Sequence, residues 1–235
     1  MSEQFIAARI SAPIIHPIEL GRHAVTFDGL LWAALEAHHC DPVKARERLG
    51  TYLSFTEGVA HASQLRFGVK QTQRLTAAWR TTLGVMRSES DLTSDQFHPF
   101  GKKAKEPYPG IQVDGGPFRN RAKDHTLYHA PWAMFYVHGN AQVIVELLNF
   151  YIDCLGVNAY SGSGTVGVWS WEPVKCDQSL VDGNGNPARA LPRALFESLS
   201  STSAEIEEAA VEPPYHAATK QQCAVPERIV REIIQ

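Results

Sequence analysis

The stretch Ala141–Trp171 constrains this chain most, because it reads as a helix, a glycine-rich loop and a strand, in that order. Over Gln142–Leu155 the polar residues recur at Gln142, Glu146, Asn149 and Asp153, one narrow stripe at helical spacing with apolar side chains around it. Such a helix has to be buried on most sides, and a sheet is the natural cover. Gly156 is expected to end it in the left-handed conformation. The loop Asn158-Ala159-Tyr160-Ser161-Gly162-Ser163-Gly164 follows, and the β-branched and aromatic run Thr165–Trp171 predicts a strand.

Gly162, Gly164 and Gly167 spell G-x-G-x-x-G, the dinucleotide fingerprint. That motif works only after a strand and at the start of a helix, where the helix N-terminus faces the pyrophosphate. Here the order is helix, loop, strand, so the mechanism is lost. A protein-kinase assignment fails as well, since no V-A-I-K, H-R-D or D-F-G segment follows. Bare amides, small hydroxyls and the aromatic Tyr160 allow a polyanion to approach the backbone. The same composition suits a tight turn with no ligand.

A length of 235 residues allows one large domain, or one domain with a sizeable insertion. The net charge of −3 leaves any basic surface local. Cys40, Cys154, Cys176 and Cys223 lie far apart without a C-x-x-C pair, which argues against a zinc site and a disulfide scaffold and suits a reducing cytosol. The first residues carry no basic signal region, and no apolar run spans a bilayer, so a cytoplasmic protein away from membranes is expected.

Along the chain, Phe5–Ile15 predicts a strand with Ile6, Ala8, Ile10 and Ala12 on one face. Phe27–His39 predicts an amphipathic helix, with Thr26 or Asp28 satisfying its first amides. His38-His39-Cys40 reads as a helix end, because adjacent helical residues diverge too far to share one ion. Asp41-Pro42 opens a short helix to about Leu49, and strands are expected near Gln64–Lys70 and Leu75–Met86. The proline- and glycine-punctuated segment Arg87–Asp124 reads as an inserted loop. Its basic residues Lys102, Lys103, Lys105, Arg119, Arg121 and Lys123 alternate with aromatics, a composition that suits a nucleic-acid backbone with bases to stack; a solvated loop has the same look.

His125–Val137 predicts a strand leading into the opening helix. The two halves therefore each read strand–helix–strand, which predicts an α+β, modified ferredoxin-like domain over 1–197. Asp182–Asn186 imitates a calcium loop but carries Pro187 and Arg193 where the glycine and bidentate glutamate belong, so a hairpin turn is expected. Residues 198–235 read as a polar linker, an acidic run at Glu205, Glu207, Glu208 and Glu212, and a last helix opened by Pro226.

Three segments together carry a resemblance. Ser11–Ile15 followed by Phe27-Asp28-Gly29-Leu30-Leu31, the loop Gly162-Ser163-Gly164-Thr165-Val166-Gly167, and Asp182-Gly183 with Ala188-Arg189-Ala190-Leu191-Pro192 are similar, in order and spacing, to the RAMP superfamily of CRISPR subunits. Within it the chain resembles the Cas-five-like handle-capping subunit of type IV effector complexes. The resemblance implies a non-catalytic subunit that binds the 5′ handle of the guide RNA, with no cofactor and no metal. The implied partners are the Cas-seven-like backbone subunit, the Cas-eight-like large subunit and target DNA near the target-adjacent motif. It places RNA on Asn158, Tyr160, Ser161, Gly162, Ser163 and Gly164, and makes Arg87–Asp124 a thumb carrying Lys102, Lys103, Lys105, Arg119, Arg121 and Lys123. Where the superfamily has basic residues before its glycines, this chain has Asn158, Tyr160 and Ser161, so amide contacts are expected there. Two alternatives stand beside it. One is a metal-independent endoribonuclease of the same superfamily, with His23, His39 and Tyr160 as candidates. The other is a ferredoxin-like protein scaffold.

Overall fold

The computed structural model describes residues 5–21, 24–83, 122–158 and 162–234. The fold is mixed α+β, with several sheets and four helices among the described residues. The chain forms two compact units, one made of Met1–Ala77 with Tyr128–Gln235, the other of Ala78–Leu127.

The first unit is built on a five-stranded sheet. β1 (Ile6–Pro13) lies between β8 (Trp132–Gly139) and β9 (Ser170–Pro173), antiparallel to both. β5 (Arg66–Lys70) runs antiparallel on the other side of β8, and β13 (Val230–Ile234) adds to β5 in parallel. The order is β13-β5-β8-β1-β9. The alternation expected in β1 fixes the register: Ala8, Ile10 and Ala12, all buried, lie opposite Val137, Phe135 and Ala133. α1 (Phe27–His39) and α3 (Ala141–Tyr151) pack together over this face, where Phe27 meets Phe135 at 5.3 Å between ring centroids. α2 (Pro42–Tyr52) packs beside α1 and is capped by Asp41, whose carboxylate accepts from the Val43 and Lys44 amides.

Shorter elements complete this unit. β2 (Ile18–Glu19) follows β1, and β3 (Phe55–Thr56) pairs with β4 (Val59–Ala60). A second sheet has the order β10-β12-β11, from Leu191–Pro192, Gln221–Val225 and Glu205–Ala209, with α4 (Arg193–Leu199) packed on it. Its separate core gathers Val59, Leu180, Leu191, Leu195 and Phe196. The Asp182–Asn186 segment is the expected turn: Asp182 Oδ1 accepts from the Asn184 and Asn186 amides, both at 2.9 Å.

The second unit contains most of β6 (Thr76–Leu83) and β7 (Ala122–His129), neighbours in one sheet, with the Thr81 hydroxyl donating to Asp124 at 2.6 Å. The expected thumb, Arg87–Asp124, falls within the sequence limits of this unit, but residues 84–121 lie outside the described residues.

Several sequence expectations are corrected. His125–Val137 is two strands, broken at Ala130-Pro131, because Pro131 has no amide for the ladder. α3 ends at Tyr151, not Leu155; Ile152 turns extended and its carbonyl accepts the Trp169 indole N–H at 2.8 Å. Gly156 is left-handed (φ 82°) but lies in the loop beyond. Phe150, expected inside, is 80% exposed. Thr165–Trp171 is not one strand: Thr165 and Val166 form isolated bridges, and the ladder with β1 starts only at Ser170. The acidic run after residue 204 is strand β11, and in place of the last helix stands β13. Val230, Ile233 and Ile234 are β-branched, and the open edge of β5 offers them a ladder.

Candidate nucleic-acid interface

The loop between α3 and β9 is held from below by main-chain bonds to the exit of β1. The Gly164 amide donates to the Pro17 carbonyl at 2.9 Å, Val157 to Glu19 at 2.9 Å and Gly167 to Pro13 at 2.8 Å. Within the loop, the Leu155 amide donates to the Gly164 carbonyl at 2.8 Å. Asn149 clamps the far end, its side chain exchanging two bonds with the Trp169 main chain at 2.8 and 3.1 Å. Asn149 thus turns part of the polar stripe of α3 inward, onto the loop.

These bonds sort the expected RNA-binding residues. Ser163 is buried and its hydroxyl donates to the Pro17 carbonyl at 3.1 Å. A Cβ on Gly164 (φ 73°) lies 1.9 Å from the Leu155 carbonyl oxygen, so this glycine is demanded by close main-chain packing. Asn158 donates from Nδ2 to the Glu19 carboxylate at 2.6 Å. Gly162 differs: it is exposed, left-handed (φ 78°), and among the described residues a Cβ there meets nothing within 4 Å. Among the described residues of the loop, the amides of Gly162 and Ser163 have no acceptor and could serve an anion. Tyr160 and Ser161 lie outside the described residues, as do Lys102, Lys103, Lys105, Arg119 and Arg121. Lys123 is exposed on β7.

The sheet face away from α1 and α3 carries two ion pairs. Arg9 pairs with Glu172 on the neighbouring strand. The Tyr136 hydroxyl donates to Glu232, which also accepts from Arg66 Nη1 at 3.3 Å, and the Arg66 guanidinium stands 5.1 Å from the Tyr136 ring centroid. Burial, then the bond to Glu232, pushes the Tyr136 phenol up to about 12. Paired in this way, Arg9 and Arg66 are already neutralised.

Two polar centres escaped the sequence analysis. The first adds to the role expected of Asp28: its carboxylate accepts from the first-turn Gly29 amide at 3.0 Å, and, fully buried, it also holds Arg189, itself 1% exposed, at 3.0 Å. Arg189 also donates to the carbonyls of Ala60, Ala62 and Val211. The Tyr215 hydroxyl donates to Asp28 at 2.6 Å and accepts from Arg189 Nη2 at 2.9 Å. Burial raises the Tyr215 phenol far above its ordinary range, and Asp28 adds to this. The centre stitches α1 to the start of the second sheet and to the segment after β11. The signal was present in Asp28 and Arg189 themselves, two charges inside apolar runs.

The second centre is a line from hydroxyl to imidazole to carboxylate. Thr56 Oγ1 lies 2.7 Å from His61 Nε2, and His61 Nδ1 lies 2.7 Å from Asp177 Oδ2. Since a carboxylate only accepts, Nδ1 donates to Asp177. Ser54 holds His138 beside it, with the two imidazole centroids 5.8 Å apart. The line ties the β3–β4 hairpin to the loop after β9. Burial raises the Asp177 carboxyl, but bonds from His61 and Ser179 outweigh it and hold the group below its ordinary 3.8. The folded chain therefore binds this proton less readily than the unfolded chain. Its stabilisation is complete above 3.8 and is lost as the pH falls through the depressed value. Urea unfolding across an acid pH series is expected to show a shallower fall in stability for Asp177→Asn than for the parent. Equal slopes would remove Asp177 from the acid response.

The chain matches no protein-family model and no curated protein. Of the nuclease candidates, His39 ends α1 with its ring 4.7 Å from that of His38, while His23 lies outside the described residues. No group of three or more histidine, cysteine, aspartate or glutamate residues able to hold a metal occurs among the described residues. No helix among them is long and apolar enough to cross a membrane.

Proposed function

We propose that this chain is a non-catalytic RNA-binding subunit of a type IV CRISPR ribonucleoprotein, holding the 5′ handle of the guide RNA and capping the backbone filament. One observation supports this beyond the resemblance in sequence. Numbered by their place in the core, the antiparallel strands β9-β1-β8-β5 follow the order 4-1-3-2 of a ferredoxin-like unit. The glycine-rich loop falls between its second core helix and fourth strand, and the Ala78–Leu127 unit between its second and third. The resemblance implies a glycine-rich loop after the second helix, and this order supports that reading. The buried pair Asp28–Arg189 also joins two of the three segments that carry the resemblance.

The handle phosphates meet the Gly162 and Ser163 amides, Tyr160 stacks on a base, and the thumb cations meet the guide backbone. The Cas-seven-like backbone subunit and the Cas-eight-like large subunit assemble around this end, near the target-adjacent DNA. The test is retention of labelled guide precursor by the assembled complex across a salt series. Gly162→Asn adds a side chain while tolerating the left-handed backbone, and is expected to weaken handle binding at least tenfold with no change in salt slope. Each of Lys102→Ala, Lys103→Ala, Arg119→Ala and Arg121→Ala is expected to lower that slope by about 0.7. Cleavage of the precursor without metal would identify the endoribonuclease instead, and neither binding nor cleavage the scaffold.

A further inference from the structure

Arg66 leaves one edge of a buried guanidinium unused. It lies inside the five-stranded sheet, paired with Met134 on β8 and Val230 on β13, and its side chain is 8% exposed. Neighbouring residues of a strand point to opposite faces. Phe67 belongs to the core with α1 and α3, so Arg66 and its cross-strand neighbour Val230 point to the other face. Nη1 donates to Glu232, which balances the charge. The buried Nε–H has no acceptor, and Nη2 forms no hydrogen bond among the described residues. Nε and Nη2 share one edge of the guanidinium plane, the fork that takes two adjacent acceptors.

Arg66 and Val230 line a cleft of about 490 Å³, a volume in the range of small-ligand sites. Arg231, Asp182, Glu205 and Glu227 supply its other charges. Asp182 is spent on the amides of its own turn, whereas Glu205 and Glu227 form no ion pair among the described residues. With Arg66 already balanced and carboxylates nearby, an anion gains little here. A cation would leave the Arg66 fork unserved. The lining instead suits an uncharged ligand with two adjacent acceptors and, on another edge, N–H donors for a carboxylate. Guanine has both, with N7 and O6 side by side and donors at N1 and N2. Adenine presents an amino donor where O6 stands, against the donors of Arg66.

We propose that this cleft binds a guanine base, with O6 and N7 on the Arg66 fork and the ring N–H groups on Glu205 or Glu227. This holds whether or not the glycine-rich loop binds RNA. The probe is guanosine, titrated calorimetrically against the full chain. It is expected to bind at least tenfold more tightly than adenosine. 7-Deazaguanosine, with carbon in place of N7, reads the fork without altering the protein and is expected to bind at least tenfold more weakly than guanosine. Glu205→Ala/Glu227→Ala, a change at exposed residues, is expected to weaken guanosine at least tenfold. A uridine oligomer carrying one central guanosine separates the two sources of the base. Displacement of guanosine by it places the base in an RNA strand, and no displacement assigns the cleft to the free nucleoside or nucleotide. The proposal is overturned if guanosine does not bind, if adenosine or 7-deazaguanosine binds equally well, or if the double glutamate variant binds like the parent.

Discussion

Arg189→Met is expected to destabilise the folded chain by about 3–5 kcal/mol, the usual cost of stranding a buried charge without its partner. The methionine fills much of the guanidinium volume, but the Asp28 carboxylate, fully buried, keeps only the Tyr215 hydroxyl and its own helix start. Three carbonyls that Arg189 serves also lose its guanidinium, of which Ala60 keeps the Ala62 amide. Asp28→Leu combined with Arg189→Met is expected to recover much of the loss, since two apolar residues replace two charges. Tyr215→Phe is expected to cost less, about 1–3 kcal/mol, because it removes one buried hydroxyl. Urea melts of the three variants give the comparison. A parent-like midpoint for Arg189→Met would mean that the pair is not buried in solution.

Gly164→Ala comes second in expected size. Left-handed placement of an alanine costs about 1–2 kcal/mol by itself. Here the new methyl also lands 1.9 Å from a main-chain oxygen, so the Leu155–Gly164 contact has to open. The loss is expected to exceed the 1–2 kcal/mol of the backbone term alone, while Gly162→Ala, facing open space, is expected to show that term only. Chemical denaturation of the two variants side by side decides it. Equal losses would show that the loop is not pinned to β1 as described. The pair also governs how RNA data are read: weaker RNA binding by a Gly164 variant reports a displaced loop, whereas Gly162 reports contact.

Local rules made much of the first half legible. The apolar stripe of Phe27–His39 and the Asp41-Pro42 start gave α1 and α2 because helices of that length are decided by their own periodicity and caps. The alternation in Ile6–Pro13 gave β1 for the same reason. Where the outcome depends on distant chain, the sequence misled. Val230–Ile234 has a pattern that serves a helix or a strand, and the vacant edge of β5, far upstream, decides between them. Asp28 sits where a helix cap belongs, and its partner Arg189 is 161 residues away. The glycines of the loop were read as room for a ligand. At Gly164 the room is already filled by the protein's own backbone, which a spacing rule has no means to register.

The side chain of Thr76 donates to the carbonyl of His129 at 3.3 Å, and β6 and β7 are sheet neighbours, so the two ends of the chain bounding Ala78–Leu127 are held together. A closed loop of this kind is governed by polymer statistics: doubling its length costs only about 0.6 kcal/mol of closure entropy, and halving it returns as little. A change in the length of that insert therefore costs little closure entropy. A chain in which a short glycine turn joins Ala77 to Tyr128 would keep the sheet and lose whatever the excised unit recognises.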